Sequence, residues 1–149
     1  MQLGMIGLGR MGGNIVRRLM RQGHSTVVYD KDAKAVAGLA ADGAVASATL
    51  EEFISKLERP RTAWVMLPAG HITETTIETI AGVMQDGDVI IDGGNTFWQD
   101  DARRGKALKA RGDFDVLTER GRRALRVHLK GGLKKGLATL NAALNDALN

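Results

Sequence analysis

Three glycines near the start of the chain have the spacing of a phosphate-binding turn. Gly7, Gly9 and Gly12 form a G-x-G-x-x-G pattern directly behind the apolar run 3–7. In such a turn the first glycine permits a tight bend, the second lets a phosphate approach the backbone, and the third lets helix and strand pack closely. A helix that begins near Met11 then points its free N–H groups at the anion. The pattern predicts a site for a dinucleotide pyrophosphate, although a glycine-rich turn made only for packing is the alternative.

An acidic residue follows at the distance that a dinucleotide site requires. Asp30 ends the second predicted strand, 18 positions after Gly12, where a carboxylate can accept hydrogen bonds from the adenosine ribose hydroxyls. A carboxylate there also repels a 2′-phosphate, so NAD is favoured over NADP, and the neighbouring Lys31 softens that preference. The alternative is that Asp30 only ends the strand or caps the next helix.

Two further stretches end predicted strands at the same edge of the sheet. The stretch 66–70 follows the fourth strand, and its small apolar backbone can line a cofactor between adenosine and nicotinamide; a proline-stopped strand with an ordinary turn is the alternative. The stretch 92–96 follows the fifth strand, and its paired glycines allow a flat ring to approach closely. Within it, Asn95 offers both a donor and an acceptor, which suits a carboxamide or a sugar hydroxyl unless Asn95 caps the following helix.

Apolar runs and helical periodicities alternate along the chain and position these stretches. Strands are predicted at 3–7, 25–29, 44–46, 62–67, 88–91 and 114–117, and helices at 11–22, 32–41, 49–57, 72–84 and 98–110. Asp32 is predicted to cap the second helix, and Thr49 with Glu52 forms a capping box for the third. The succession predicts an α/β fold, a doubly wound parallel sheet of the Rossmann type with helices on both faces.

Composition excludes several classes of site. The 149 residues include no cysteine, which excludes disulfides, thiolate catalysis and Cys-based metal sites. The three histidines are far apart and have no ligand spacing, so no metal site is expected. There is no apolar run of membrane-spanning length and no leader pattern at residue 1, so a cytoplasmic protein without a membrane partner is predicted.

The last part of the chain has a different texture. Residues 103–135 hold the basic excess behind the formal charge of +4, yet Phe114 is their one aromatic residue, so nucleic-acid binding is not expected. We therefore divide the chain into a dinucleotide-binding domain at 1–117 and a basic, helical tail at 118–149. A stripe of leucines in the tail would pack on the sheet or join a second subunit in a homo-oligomer. Its members are Leu133, Leu137, Leu140, Leu144 and Leu148.

Four stretches carry a resemblance to a known family. The segments MIGLGRMG at 5–12, YD at 29–30, MLPAG at 66–70 and DGGNT at 92–96 resemble the cofactor domain of 6-phosphogluconate dehydrogenase, in its shorter, NAD-preferring bacterial branch within the β-hydroxyacid dehydrogenase superfamily. The resemblance implies oxidation of a sugar acid phosphate, 6-phosphogluconate, at C3 by hydride transfer to NAD(P), then decarboxylation to ribulose 5-phosphate. It also implies that Asn95 touches both substrate and nicotinamide. The cofactor-binding candidates are Gly7, Leu8, Gly9, Arg10, Met11, Gly12, Asp30, Lys31, Met66, Leu67, Pro68, Ala69 and Asn95.

The sequence departs from this family after the predicted sixth strand. The family continues with a Gly-x-Ser-Gly-Gly substrate loop, a catalytic lysine, an acid/base glutamate and a helical dimerisation domain, and none of these motifs is present. We therefore predict no catalytic residue and a chain that binds NAD(P) but turns over little or no substrate alone. The tail reads as that of a truncated, frame-altered or fused gene. The alternative function is a non-catalytic nucleotide-binding or regulatory module that oligomerises through its C-terminal helix.

Overall fold

Strands and helices alternate along the part of the chain that the computed structural model describes, which is residues 1–94, Lys106 and the backbone of Asp115–Thr118. The strands are β1 (Gln2–Ile6), β2 (Ser25–Tyr29), β3 (Val45–Ala46), β4 (Thr62–Val65), β5 (Val89–Asp92) and β6 (Asp115–Thr118). The helices are α1 (Arg10–Arg21), α2 (Ala33–Ala41), α3 (Leu50–Ser55) and α4 (His71–Ala81).

The six strands form one parallel sheet in the order β3-β2-β1-β4-β5-β6. The chain moves outward in one direction from β1 to β3, returns to β4 beside β1, and then moves outward in the other direction. The strand order therefore reverses between β1 and β4, and in open parallel sheets ligands bind beyond the carboxyl ends of the strands at such a point. The predicted doubly wound fold is confirmed.

Two hydrophobic cores lie on opposite faces of the sheet. Met5 and Trp64 point to the face covered by α1 and α2, whereas Ile6 and Val65 point to the face covered by α3 and α4. Successive residues of a strand face opposite sides, so a strand covered on both faces must be apolar throughout. This explains why the central strands read as continuous apolar runs.

Side-chain caps begin two of the helices as the sequence predicts. The carboxylate of Asp32 accepts a hydrogen bond from Lys34 N–H at 2.9 Å at the start of α2. At the start of α3, Thr49 Oγ1 accepts from Glu52 N–H at 3.1 Å. The Glu52 carboxylate reaches back and accepts a hydrogen bond from the N–H of Ala48, at 2.6 Å. Both predicted caps are confirmed, and they satisfy N–H groups that the helices themselves leave unpaired.

A buried ion pair closes the opposite, amino edge of the sheet. Asp88 is 2% exposed and accepts hydrogen bonds from the N–H groups of Arg61, at 2.7 Å, and Gln85, at 2.9 Å. The Arg61 guanidinium lies 3.3 Å from the same carboxylate and also donates to the carbonyl of Val83. These bonds join the loops that lead into β4 and β5, and they satisfy a charge that would be costly to bury alone.

Element boundaries differ from the predictions by a few residues. β4 ends at Val65, so Met66 and Leu67 lie beyond the strand, and β5 extends to Asp92. Helices α3 and α4 end at Ser55 and Ala81, earlier than predicted. No helix in the described ranges has the length and apolar character to cross a bilayer. The predicted helix 98–110 lies outside the described residues apart from Lys106, and the leucine stripe of the tail lies outside them entirely.

Candidate functional site

The glycine turn joins β1 to α1 in three residues and packs against both neighbouring strands. Gly7 has a φ of +92°, a conformation that favours glycine, and a side chain there would overlap the backbone carbonyl of Met66 beyond β4. The Gly7 N–H donates to the carbonyl of Tyr29 at the end of β2, at 3.0 Å. The turn is therefore held between β2 and β4, at the point where the strand order reverses.

Gly12 lets the first turn of α1 lie directly on the glycine turn. A Cβ atom at Gly12 would overlap the carbonyl oxygen of Gly7, which belongs to the backbone and cannot move aside without shifting the turn. This is the close helix–strand contact expected of the third glycine in the pattern. Gly12 thus acts through packing.

Gly9 differs from the other two glycines because the space beside it is open. It is exposed and is the N-cap residue of α1, and among the described residues other than its chain neighbours no atom lies within 4 Å of where its Cβ would be. No side chain of the described residues caps α1. The exposed Arg10 and Met11 follow it in the first turn, so the free N–H groups and the positive end of the helix dipole face an unobstructed space.

The carboxylate of Asp30 lies against the glycine turn. Its Oδ2 atom accepts a hydrogen bond from Leu8 N–H at 2.6 Å, and its Oδ1 atom accepts one from Asp32 N–H at 2.9 Å. The sequence predicts that Asp30 lies at this edge and binds ribose, but it does not predict these two contacts with the protein backbone. Asp32, not Asp30, caps α2, and Lys31 between them is exposed.

The stretch after β4 lies beside the glycine turn. The Met66 N–H donates to the Ile6 carbonyl at 2.7 Å, and Leu67 contacts the position of a Cβ on Gly7. Pro68 and Ala69 are exposed. The chain then enters α4 at Gly70, with no side-chain cap in the described part of the molecule. The structure therefore brings Met66 and Leu67 of the predicted stretch next to the turn.

Gly93, after β5, has a different role from the one that the sequence suggested. A side chain there would overlap the indole of Trp64, and Met66 Cε lies 3.0 Å from the same position. The absent side chain of Gly93 therefore makes room for Trp64, and that space is not open to a flat ligand ring. Asp92 is buried and accepts from Gly94 N–H at 3.0 Å. Asn95, the candidate for nicotinamide and substrate, lies outside the described residues.

A cavity of about 340 Å³ lies between α1 and α2, next to the glycine turn. Lys34 and Arg10 contribute cations to it, while the nearby Arg17 is paired with Asp42 at 2.7 Å. The sequence pattern does not indicate this cavity, because its wall is built from two helices that only the fold brings together. The basic residues near the helix starts were the one available signal. Its lining residues are Leu8, Gly9, Arg10, Gly13, Asn14, Arg17, Lys34, Ala35, Gly38 and Leu39.

Comparisons with known proteins agree with this geometry. Residues 2–117 match the family described as the NAD binding domain of 6-phosphogluconate dehydrogenase. The NAD(+)-dependent, decarboxylating 6-phosphogluconate dehydrogenase of Haloferax volcanii is 37% identical over 110 residues, covering 74% of this chain and 37% of the relative. The decarboxylating 6-phosphogluconate dehydrogenase of Synechococcus elongatus is 40% identical over 116 residues, covering 74% of this chain and 25% of the relative.

A solved structure of the 6-phosphogluconate dehydrogenase of Plasmodium falciparum, described with its cofactor NADP+ and its substrate 6-phosphogluconate, is similar with a TM-score of 0.72 and 28% identity. The alignment covers 78% of this chain and 26% of that one. The chain thus spans little more than a third of the Haloferax relative, and less of the other two. Because the matched family covers most of the sequence and the sheet has the strand order of a dinucleotide-binding fold, the chain belongs to the family of 6-phosphogluconate dehydrogenase NAD-binding domains.

Proposed function

We propose that residues 1–117 bind NAD(P) with its pyrophosphate at the N-terminus of α1. The observation that carries this proposal is the space that the described residues leave open at Gly9, where α1 begins at the reversal of strand order with no side-chain cap from any of them. Backbone N–H groups and the helix dipole both favour a negative charge there. The residues present therefore fit the cofactor, whose nicotinamide exchanges a hydride with a substrate when bound.

Asp30 is the proposed acceptor for the adenosine ribose. A carboxylate has about four acceptor positions, and the backbone N–H groups of Leu8 and Asp32 use two of them. The remaining positions can accept ribose hydroxyls, and the negative charge disfavours a 2′-phosphate. We propose NAD as the preferred form, with Lys31 moderating the preference.

The remaining proposed contacts lie along the glycine turn and beyond β4. Leu8, Arg10 and Met11 flank the pyrophosphate, and the stretch 66–69 lines the cofactor beside the turn. Asn95 remains the proposed contact for nicotinamide and substrate.

Titration of the purified chain with NAD and NADP tests the cofactor site. We expect NAD to bind more tightly than NADP, and Gly9→Val to weaken both by at least roughly tenfold, since the side chain fills the space assigned to the pyrophosphate. Gly9 has a backbone conformation open to other residues, and the described residues leave space around it, so the variant should fold, with thermal unfolding lowered only by the weaker N-cap preference of valine. Unchanged affinity in a folded Gly9→Val variant contradicts the proposed site.

The substrate proposal comes from the relatives. We propose that this domain serves the oxidation of 6-phosphogluconate at C3 and its decarboxylation to ribulose 5-phosphate, and that the chain alone turns over little or none of it. An assay of NADH formation with 6-phosphogluconate tests this. We expect a rate close to background, and robust NADH formation overturns the expectation that the catalytic groups are missing.

The tail remains a separate proposal. We propose the division at residue 117 and a homo-oligomer held by the leucine stripe of residues 133–148. Light scattering should give a larger molar mass for the original chain than for Leu140→Glu. A monomeric original chain contradicts oligomerisation. The cytoplasmic location stays a prediction.

A further inference from the structure

We propose that Asp30 is a positioning residue, which holds the glycine turn in its phosphate-binding shape before any cofactor arrives. This inference rests on the proposed cofactor site. It gives Asp30 a second role besides the ribose contact. Because Asp30 acts through the backbone of Leu8, it affects the affinity for every ligand that carries a phosphate at the turn.

Two consecutive N–H groups of the turn are bound by two consecutive residues at the end of β2. Gly7 N–H donates to the carbonyl of Tyr29 at 3.0 Å, and Leu8 N–H donates to the carboxylate of Asp30 at 2.6 Å. Hydrogen bonds to an ionised acceptor are shorter and stronger than those between neutral groups. The second bond is therefore the stronger of the two, and Leu8 directly precedes Gly9, the N-cap residue of α1.

The carboxylate of Asp30 is itself held in place from the other side. Its second oxygen accepts from Asp32 N–H, and the carboxylate of Asp32 accepts from Lys34 N–H in the first turn of α2. The backbone of Asp32 therefore holds the Asp30 carboxylate, whereas the side chain of Asp32 only caps α2. Fixing a carboxylate at both oxygens restricts its rotation, so it presents a defined acceptor to Leu8.

Loss of this carboxylate leaves the Leu8 N–H without its acceptor. Leu8 is 6% exposed, and an unpaired buried N–H group is costly enough that the turn would rearrange to find another partner. The N–H groups that follow Gly9 would then no longer be preorganised for an anion. A role limited to ribose predicts something different, because it affects only ligands that carry the ribose hydroxyls.

The two roles are separated by ADP and 2′,3′-dideoxy-ADP, which share the diphosphate but differ in the hydroxyls. We expect Asp30→Ala to weaken binding of dideoxy-ADP by roughly tenfold and that of ADP by at least as much, as measured by calorimetry. The matched control is Asp32→Ala. It removes an equal charge and the α2 cap, but keeps the backbone N–H that donates a hydrogen bond to Asp30. It should change both affinities by less than about twofold.

The Leu8 amide of the free protein provides an independent readout. Its proton resonance should lie downfield and exchange slowly in the original chain and in Asp32→Ala, and should lose both properties in Asp30→Ala. If Asp30→Ala does not fold, Asp30→Asn replaces it, because one amide oxygen can still accept from Leu8 and should give intermediate values for the Leu8 resonance and for dideoxy-ADP affinity.

The outcomes distinguish this inference from the function on which it rests. If the original chain binds neither NAD nor ADP, the proposed function fails. The second outcome is that the chain binds both, and that Asp30→Ala changes neither the affinity for dideoxy-ADP nor the resonance and exchange rate of the Leu8 amide. The cofactor site then stands and the positioning role is refuted.

Discussion

The four described helices begin in two different ways. All four follow strands at the carboxyl edge of the sheet. Asp32 and Thr49 cap α2 and α3, whereas α1 and α4 begin at Gly9 and Gly70 without a side-chain cap from any described residue. The uncapped pair follows β1 and β4, the adjacent strands between which the order reverses. The capped pair lies farther out. Side chains thus cap the N-termini of the described helices except where a ligand site is expected.

This difference separates stability from binding. A side-chain cap typically stabilises a helix by about 1 kcal/mol and consumes an N–H group. An uncapped end gives up that stabilisation and keeps its N–H groups available to an anion. Substitutions at the two kinds of helix end should therefore have separable effects, which four measurements can examine.

The largest effect is expected from Gly12→Val, at the uncapped end of α1. The added side chain overlaps the Gly7 carbonyl, and backbone on both sides must move to relieve the overlap. We expect a loss of about 3 kcal/mol in the free energy of unfolding, measured by urea denaturation, and no measurable NAD binding. Retention of both stability and affinity would show that the glycine turn is not packed as described.

Gly9→Asp converts the uncapped end into a capped one without a clash, since the space around Gly9 is open. The carboxylate can accept a hydrogen bond from the first turn of α1 and complement its dipole, so stability should rise by a few tenths of a kcal/mol. NAD affinity should fall by roughly tenfold or more, because the new charge occupies the anion position. Stability and affinity that change in the same direction would contradict the distinction between the two kinds of helix end.

Thr49→Ala removes a cap at a closed end. It deletes the acceptor of the Glu52 N–H, so the free energy of unfolding should fall by about 1 kcal/mol. NAD affinity should remain within about twofold, because α3 begins beyond β3 at the far edge of the sheet. Comparison of its denaturation curve and NAD titration with those of Gly9→Asp gives the matched pair, and a large loss of affinity here would show that capped ends also serve the site.

The smallest effect concerns the charge in the α3 cap. The hydrogen bond from Lys56, at 2.6 Å, lowers the pKa of Glu52, and the N–H of Ala48 adds to the effect. A lowered pKa in the folded state means that the stabilisation is present at neutral pH and is lost as the pH falls below 4.5. Carboxyl NMR titration should show the Glu52 pKa rising in Lys56→Met, with only a slight change in stability because the pair is exposed. An unchanged pKa would remove the proposed role of Lys56.

Much of the fold could be predicted because its determinants are local. Apolar runs between turn residues indicated the strands, and the spacing of Asp32 and of Thr49 with Glu52 indicated two helix starts, all of which the structure confirms. The predicted ends of β4 and β5 are less accurate. At β4, apolar residues such as Leu67 continue the pattern beyond the last paired residue, whereas at β5 the last paired residue, Asp92, is polar and interrupts the apolar pattern.

The contacts within the site could not be predicted, since they join residues that are distant in sequence. Nothing in the pattern shows that Asp30 binds the Leu8 N–H, because that requires the ends of β1 and β2 to be placed side by side. The pairing of Gly93 with Trp64 was missed for the same reason. The roles of Asn95 and of the leucine stripe stay predictions.

The ion pair of Asp88 and Arg61 has a practical consequence for engineering this domain. It lies at the amino edge of β4 and β5, one strand length of roughly 13 Å from the glycine turn. Free-energy changes at sites more than about 10 Å apart usually add. Substitutions that stabilise the amino edge should therefore offset the free energy of unfolding that is lost when residues of the turn are changed. The residues proposed to set the cofactor preference can then be redesigned while the domain stays folded.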